Sequence, residues 1–425
     1  MVERTVFIHL PGETQAVPAG RLTLIEQGLQ VQASTFAYGR RYVARANAVP
    51  VDPISLALVP GKNDEERVPV GGLALFGALR DATPDAWGRR VIENRLSAPP
   101  NGLPESVYLD QAGPHRAGAL DVRASPTSPP ADGALPSIID LHHLLEAAAR
   151  VEEGEPVPAH LEAFFAGGHS VGGGRPKAVV MAEDREWIAK FPAQNDPFNV
   201  PLVERATLEL AREAGLVVPR TRLETLADGR QVMLIERFDR EPLAGGMGRR
   251  HMVSALTLLA LHEQDSPDSS YAAIADAMNV HGVSGQIAAD RKELFARMVF
   301  NILVSNDDDH LRNHAFLFDA SGGGWRLSPL YDVVPKPQVA LERRLHLSIG
   351  PQGRLARLDN AMAGAGRFGL LPPDAARIVD RVVRAVRSWR ETFEDLGVSV
   401  RECDKVATAF RRAADIGMRD VERCL

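Results

Sequence analysis

A Gly-rich loop, two short strands, a long helix and a hairpin follow one another between Ser170 and Arg240, and few folds accommodate that order. The stretch SVGGGRPK (170–177) leads into a β-like run from Ala178 to Met181 and a second from Trp187 to Phe191 that carries Lys190. A helix is predicted from Pro201 to Ala214, then strands at Thr221 to Thr225 and Gln231 to Ile235. From Val253 onward helical spacing dominates, with candidates at 253–261, 271–278, 291–304, 373–396 and 402–424. A strand–turn–strand at 314–327, around Ser321-Gly-Gly-Gly324, interrupts them. The expected class is α+β, with a small β-rich lobe ahead of a larger helical one, and no internal repeat.

The segment before this is a unit of its own. Residues 122–137, VRASPTSPPADGALPS, have the composition of an exposed connector. They separate a small α+β domain (1–121) from a small lobe (138–240) and a helical lobe (241–425). In the first domain β-formers cluster at 5–10, 22–32 and 119–122, and a helix is expected at 85–94 after the turn signal Thr83-Pro84. Another helix is expected at 138–151. With 45% hydrophobic and 24% charged residues, the chain can bury a large core.

Net charge narrows the function classes. The 49 basic and 55 acidic residues leave −6, which argues against autonomous DNA binding, where phosphate contacts dominate affinity. Two cysteines, Cys403 and Cys424, are too few for a disulfide framework or a Cys-based zinc site. The N-terminus MVERTVFIHL lacks the pattern of a secretory signal, and no apolar run approaches the ~18 residues of a membrane span. A soluble, cytoplasmic protein is expected.

The chemistry-bearing stretch is SNDDDHLRN (305–313). Asp308 and Asn313 stand at the interval of the Asp and Asn in the kinase catalytic loop. An Asp there can accept the proton of an attacking hydroxyl, while the Asn offers a hard oxygen to a magnesium ion bridging phosphates. Asp332, in SPLYDVV, follows where a second metal-binding carboxylate would stand. Alone, the pair also reads as a capped turn, and the acids 307–309 as a helix cap or a solvated run.

Upstream features give the pair a context. Ser170, Val171, Gly172, Gly173 and Gly174 could turn backbone amides toward a phosphate, with Lys177 at the loop's end, although a Gly cluster is equally a flexible loop. It is not a Walker A loop, because Pro176 precedes Lys177 and Ala178 follows it. Lys190 fits a phosphate-pairing lysine, or a strand-end lysine whose ammonium reaches water. Glu204, early on the next helix, is its candidate ion-pair partner, or a carboxylate favoured by the helix dipole. LIERFDR (234–240) reads either as a strand end with solvated charges or as a hinge whose backbone reads adenine.

On these residues the sequence resembles the HipA family, the serine/threonine-kinase toxins of bacterial type II toxin–antitoxin modules. The matching pieces are SVGGGRPK, IAKFP (188–192), VERATLELAREAGLVVP (203–219), IERFDR (235–240), FNILVSNDDDHLRN (300–313) and LSPLYDVV (327–334). FGALRDATPDAWGRRVIENR (76–95) and AGPHRAGALDVRA (112–124) extend the likeness to the first domain. The resemblance implies a protein-kinase-like fold using ATP and Mg2+. Asp308 becomes the catalytic base, Asn313 and Asp332 the magnesium ligands, Lys190 the phosphate-binding lysine, and the main chain of Glu236 and Phe238 the contact to adenine. His310 becomes a structural residue of the loop, and Ser170 a site of inactivating autophosphorylation, since a dianionic phosphate cannot share the ATP cradle. The implied partners are a HipB-like helix-turn-helix antitoxin, operator DNA through it, and a protein substrate expected to be an aminoacyl-tRNA synthetase such as the glutamyl enzyme, whose inactivation arrests translation. GRRHMVSAL (248–256) and Gly174-Arg175-Pro176 depart from the family pattern.

Three other readings stand beside this one. An aminoglycoside-phosphotransferase-type kinase shares the Asp-to-Asn interval, but the N-terminal domain argues against it. A metal hydrolase could use Asp308, His310 and His314, yet the sequence between the histidines lacks the Glu of H-E-x-x-H. A pseudokinase corepressor is opposed by the joint presence of Lys190, Asp308, Asn313 and Asp332.

Overall fold

The computed structural model describes residues 1–59, 61, 63, 65–131, 133–161 and 173–425. They form two compact units, one of residues 1–194 and 224–261 and the other of residues 195–223 and 262–425. Among the described residues no helix is long and apolar enough to cross a membrane.

The first unit begins with a sheet of order β3-β2-β1-β4, made of Val2–His9 (β1), Ala16–Gln27 (β2), Gln30–Tyr38 (β3) and Leu120–Arg123 (β4). β1 runs antiparallel to both β2 and β4. The apolar run expected as one piece at 22–32 is cut by Gly28, whose φ of +62° lets the chain reverse into β3. A second sheet sets Arg185–Lys190 (β6) between Lys177–Ala182 (β5) at its edge and Gln231–Glu236 (β8), with Thr221–Thr225 as β7. β5 and β6 pair antiparallel, setting Lys177 opposite Lys190, and β8 pairs with β6, setting Met233 opposite Lys190.

One core covers this second sheet. Trp87 and Val91 of helix Ala86–Arg95 (α1) pack with Leu144, Leu145 and Ala148 of helix Leu141–Glu153 (α2) against Val180, Trp187 and Leu234. Residues from before and after the 122–137 connector thus share one apolar interior. Asp85 starts α1 by accepting from the Gly88 N–H at 2.7 Å, and Gly154, at φ +74°, ends α2.

After β8 the chain forms a second hairpin, Arg240–Leu243 (β9) with Gly246–Arg249 (β10), which the sequence pattern did not reveal. The run 253–261, expected as a helix, is instead the short strand Met252–Ser254 (β11) and a single turn, Ala255–Leu258. Three hydrogen bonds of 2.7 Å to the Asp81 carboxylate, from the Ser254 N–H and the Ser254 and Thr257 hydroxyls, fix that turn.

The charges of 234–240 are not solvated. Arg237, Asp239 and Arg240 are all buried with Glu186 of β6. Arg237 reaches both Asp239 oxygens, at 3.0 and 2.8 Å, and donates to the carbonyls of His115 and Arg116, each at 2.9 Å. Arg240 reaches Glu186 at 3.1 Å, Asp239 at 2.8 Å and the Arg116 carbonyl at 2.7 Å. The Gly118 N–H returns a bond to Asp239 at 2.7 Å, so this knot ties the segment before β4 to the end of β8. Both arginines contact both carboxylates, so removing one would leave Asp239 and Glu186 buried against a single guanidinium, a destabilising imbalance of buried charge.

The second unit is mainly helical. It contains Val200–Glu213 (α3), Tyr271–His281 (α4), Ile287–Val304 (α5), Pro372–Arg387 (α6) and Trp389–Asp395 (α7), with the hairpin Ala315–Asp319 (β12) and Gly324–Leu327 (β13). The helix expected at 373–396 is divided at Ser388. That expected at 402–424 breaks into short turns, because the Arg411 N–H bonds to the Leu303 carbonyl at 2.8 Å and Gly417 takes φ +94°.

Acid should loosen the first unit in two stages. Burial, then Arg249 and Arg240, push His9 down to about 3, and burial pushes His251 down to about 4. Burial alone would raise Asp239, but Arg237 and Arg240 pull it down to about 2. At all three sites the unfolded chain binds more protons than the folded one between the two pKa values, so stability falls as pH falls. His251 acts from about pH 6.5 down to about 4, His9 from about 6.5 down to about 3, and Asp239 below about 4. Melting temperatures should drop steadily across this range. His251→Gln should flatten the upper part, and an unchanged slope there would contradict the account.

Candidate active site

The second unit builds the 305–313 segment from the end of α5. Ser305 closes that helix in the left-handed region, at φ +54°, and its hydroxyl donates to the Ala409 carbonyl at 2.6 Å. Asn306 is buried and bonds back to Asn301 through its backbone N–H and its side-chain amide, both at 3.1 Å. The chain is therefore turned sharply before the acidic run begins.

The three acids then divide. Asp307 faces Lys336 at 2.9 Å and Gln338 at 2.7 Å. Asp308 is exposed, while its carbonyl accepts from the His310 N–H at 2.8 Å and from the Asn313 side-chain amide at 3.1 Å. Asp309 is 1% exposed and gathers the Tyr271 hydroxyl at 2.5 Å, the Asn301 amide at 2.7 Å and His314 Nε2 at 2.9 Å. Burial alone would raise its carboxyl, but His314 and the hydrogen bonds hold it below the ordinary value, while burial and Asp309 drive the Tyr271 phenol well above its own. The loop is thus fastened from inside by Asp309, and Asp308 is turned outward.

Asn313 is buried, and its Nδ2 bond to the Asp308 carbonyl fixes which way the carboxamide faces. Asp332 takes φ +57°, a conformation that costs a residue with a side chain and that clusters at functional sites. The preceding Tyr331 donates its hydroxyl to the Arg312 carbonyl at 2.6 Å, joining the 331–332 segment to the loop that carries Asn313. An exposed carboxylate, a carboxamide and a second carboxylate lie on two segments tied by that bond. This is the oxygen donor chemistry that a magnesium ion takes.

His310 and His314 do not act as a pair. The His310 ring stands against His346 at 5.8 Å, while His314 is fully buried on Asp309. Among the described residues no group of three or more His, Cys, Asp or Glu is arranged to hold a metal. The sequence does not single out Tyr271 or Asn301, and it offers His314 only in the metal-hydrolase reading, since the three belong to separate elements and only folding brings them to Asp309.

The other expected site residues are distributed as follows. Lys190 ends β6 in the first unit and Glu204 lies buried on α3 in the second. Lys177 is buried, with its ammonium on Asp85 at 2.8 Å and on the Gly173 carbonyl at 2.6 Å, so it braces the end of the Gly-rich segment against α1. Gly173 has φ +108°, and Gly174 has open space where a Cβ would be. Glu236 pairs with Arg185 at 2.5 Å, and Phe238 is half-buried. Ser170, Val171 and Gly172 lie outside the described residues.

These features define a loop fixed from within by Asp309 and presenting Asp308 outward beside Asn313. Residues 169–390 match the HipA-like C-terminal domain, which covers more than half of the chain. The chain belongs to the HipA-like family. It is 24% identical to "Putative kinase Y4mE" of Sinorhizobium fredii over 85% of this chain and 88% of that one. A "Putative kinase" of Haemophilus influenzae is 26% identical over 40% of this chain and 55% of its own. The fold also matches a chain of the Shewanella oneidensis MR-1 complex of HipA, HipB and its operator DNA, with a TM-score of 0.66 and 17% identity, covering 99% of this chain and 97% of that one. The protein-kinase-like α+β expectation is met.

Tyr271→Phe deletes one donor to a buried carboxylate, worth about 1.5–3 kcal/mol. The second unit's melting temperature is expected to fall by several degrees with no change in secondary structure. An unchanged melt would show that Asp309 does not depend on Tyr271.

Proposed function

We propose that the protein is an ATP- and Mg2+-dependent serine/threonine protein kinase acting as the toxin of a toxin–antitoxin pair. The observation that carries this reading is the division of labour in 307–313, where Asp309 is locked inside and Asp308 is exposed beside the fixed carboxamide of Asn313. In the reaction a substrate hydroxyl oxygen forms a bond to the γ-phosphorus as the bond to the β-phosphate oxygen breaks. The proton passes to the Asp308 carboxylate, leaving ADP and a phosphoester. Asn313 and Asp332 are the residues that would hold magnesium, which when bound supplies positive charge against the phosphate oxygens. Lys190 is assigned to the phosphates with Glu204 as its ion-pair partner, and the Glu236 and Phe238 main chain to adenine.

Phosphorylation of Ser170 is the self-inactivating event in this reading. The partners in this reading, which family membership supports, are a HipB-like helix-turn-helix antitoxin, operator DNA held through that antitoxin, and a cytoplasmic protein substrate. The substrate is assigned to the aminoacyl-tRNA synthetases, with the glutamyl enzyme the first to try, and the outcome to arrested translation. The domain division at 122–137 belongs to the same proposal. A net charge of −6 supports a DNA contact made through a partner rather than directly.

Intact-mass spectrometry after incubation with Mg-ATP tests the reading. The wild-type chain should gain one phosphate on Ser170, and Ser170→Ala and Asp308→Ala should gain none there. Phosphate gained at Ser170 by purified Asp308→Ala at the wild-type rate would remove Asp308 from the chemistry.

A further inference from the structure

The second unit holds a cavity of about 340 Å3 that none of the assignments above uses, at the lower end of the range for small-molecule sites. Its lining is more apolar than polar. Leu303, Val383 and Val386 are almost fully buried, and Trp389 stacks on Phe410 with ring centroids 3.9 Å apart and planes 1° from parallel. Phe393 meets both rings edge-on, which holds that aromatic wall rigid.

Three arginines, Arg387, Arg411 and Arg412, stand at the mouth. Arg387 is exposed and has no ion-pair partner among the described residues. Arg411 gives its guanidinium to the carbonyls of Ala356, at 2.5 Å, and Leu341, at 2.9 Å. Burial, then the nearby Arg343 and Arg357, push Arg411 down to about 10. Arg412 approaches Asp415 only at 4.0 Å, with both side chains largely exposed. By contrast Arg384 and Arg390, just outside, each face a carboxylate at 2.9 Å.

This cavity is joined to the catalytic loop by hydrogen bonds. The Arg411 N–H holds the Leu303 carbonyl, and the carbonyl of Ala409 accepts the Ser305 hydroxyl. Arg343 bonds Ser305 Oγ at 2.5 Å and the Gln338 carbonyl at 2.7 Å, and Gln338 in turn holds Asp307. Anything that displaces residues 409–412 pulls on the bonds that place residues 303–307.

We propose that the cavity binds a small amphipathic anion, an aliphatic or aromatic body ending in a carboxylate, and that its occupancy is transmitted to residues 305–310. The apolar part of the lining takes the body, and the exposed guanidinium groups of Arg387 and Arg412 take the charge. Only the consequence, control of Asp308, rests on the kinase reading.

The test uses decanoate as probe and isothermal titration calorimetry on the full chain. Decanoate should bind at one saturable site. The Arg387→Glu/Arg412→Glu double variant, which alters two exposed side chains, should bind at least about tenfold more weakly while melting like the wild type. Decan-1-ol, with the same chain and no charge, should show a similar loss. Ala414→Trp, which fills the cavity from an exposed position, should not bind. In hydrogen–deuterium exchange, bound decanoate should change protection of the amides of 305–310 in the wild type alone. Non-saturable binding, equal binding by the charge-reversed variant or equal binding of decan-1-ol would overturn the site. Binding without a change at 305–310 would overturn the transmission. Phosphoryl transfer is read in no arm, so failure of the kinase reading would leave these results intact.

Discussion

The buried Asp309 carboxylate is the interaction on which the candidate site depends. A lone ionised carboxylate in an apolar interior would be prohibitively costly, and three donors from three parts of the second unit offset that cost. Each donor is itself placed by secondary structure, Tyr271 on α4, Asn301 on α5 and His314 immediately before β12. The carboxylate therefore joins two helices and a hairpin at a point one residue from Asp308. A polar network satisfied in this way rigidifies its surroundings, which is what a base in a short loop needs in order to hold a fixed direction.

The first unit uses the same principle on a larger scale. Arg237 and Arg240 each touch a carboxylate and several carbonyls, so the segment after β8 is bound to the 115–118 segment and to β6 at once. An apolar interior would permit some sliding between the two sheets, whereas directional charge-assisted bonds admit one arrangement. Lys177 acts alike on a smaller scale, joining Gly173 at the end of the Gly-rich segment to the start of α1. These bonds explain why the segment before the connector packs into the same core as the strands after it.

Much of this could be read from the sequence, for identifiable reasons. The strands at 177–182, 185–190 and 231–236 and the helices at 200–213 and 287–304 carry strong local periodicity, and the spacing of Asp308 and Asn313 is a property of one short loop. What escaped notice depends on contacts distant in sequence. Nothing local in NDDDH tells which acid will be buried, because that is decided by Tyr271, Asn301 and His314. The LIERFDR charges look solvated until Glu186 and the 115–118 carbonyls are brought against them. The helices expected to continue through Ser388 and past Ala407 break because Trp389 stacks on Phe410 and Arg411 bonds to Leu303, and pattern along the chain carries no trace of either contact.

The central claim is that Asp309 holds the loop while Asp308 performs chemistry, and a paired comparison of Asp308→Asn and Asp309→Asn separates the two roles. The measurement is the melting temperature of each variant together with its rate of phosphate transfer from Mg-ATP. The account predicts that Asp308→Asn melts like the wild type and loses transfer by about 100-fold or more, as expected for removal of a general base. Asp309→Asn should melt several degrees lower. Wild-type transfer by Asp308→Asn, or a wild-type melt for Asp309→Asn, would contradict it.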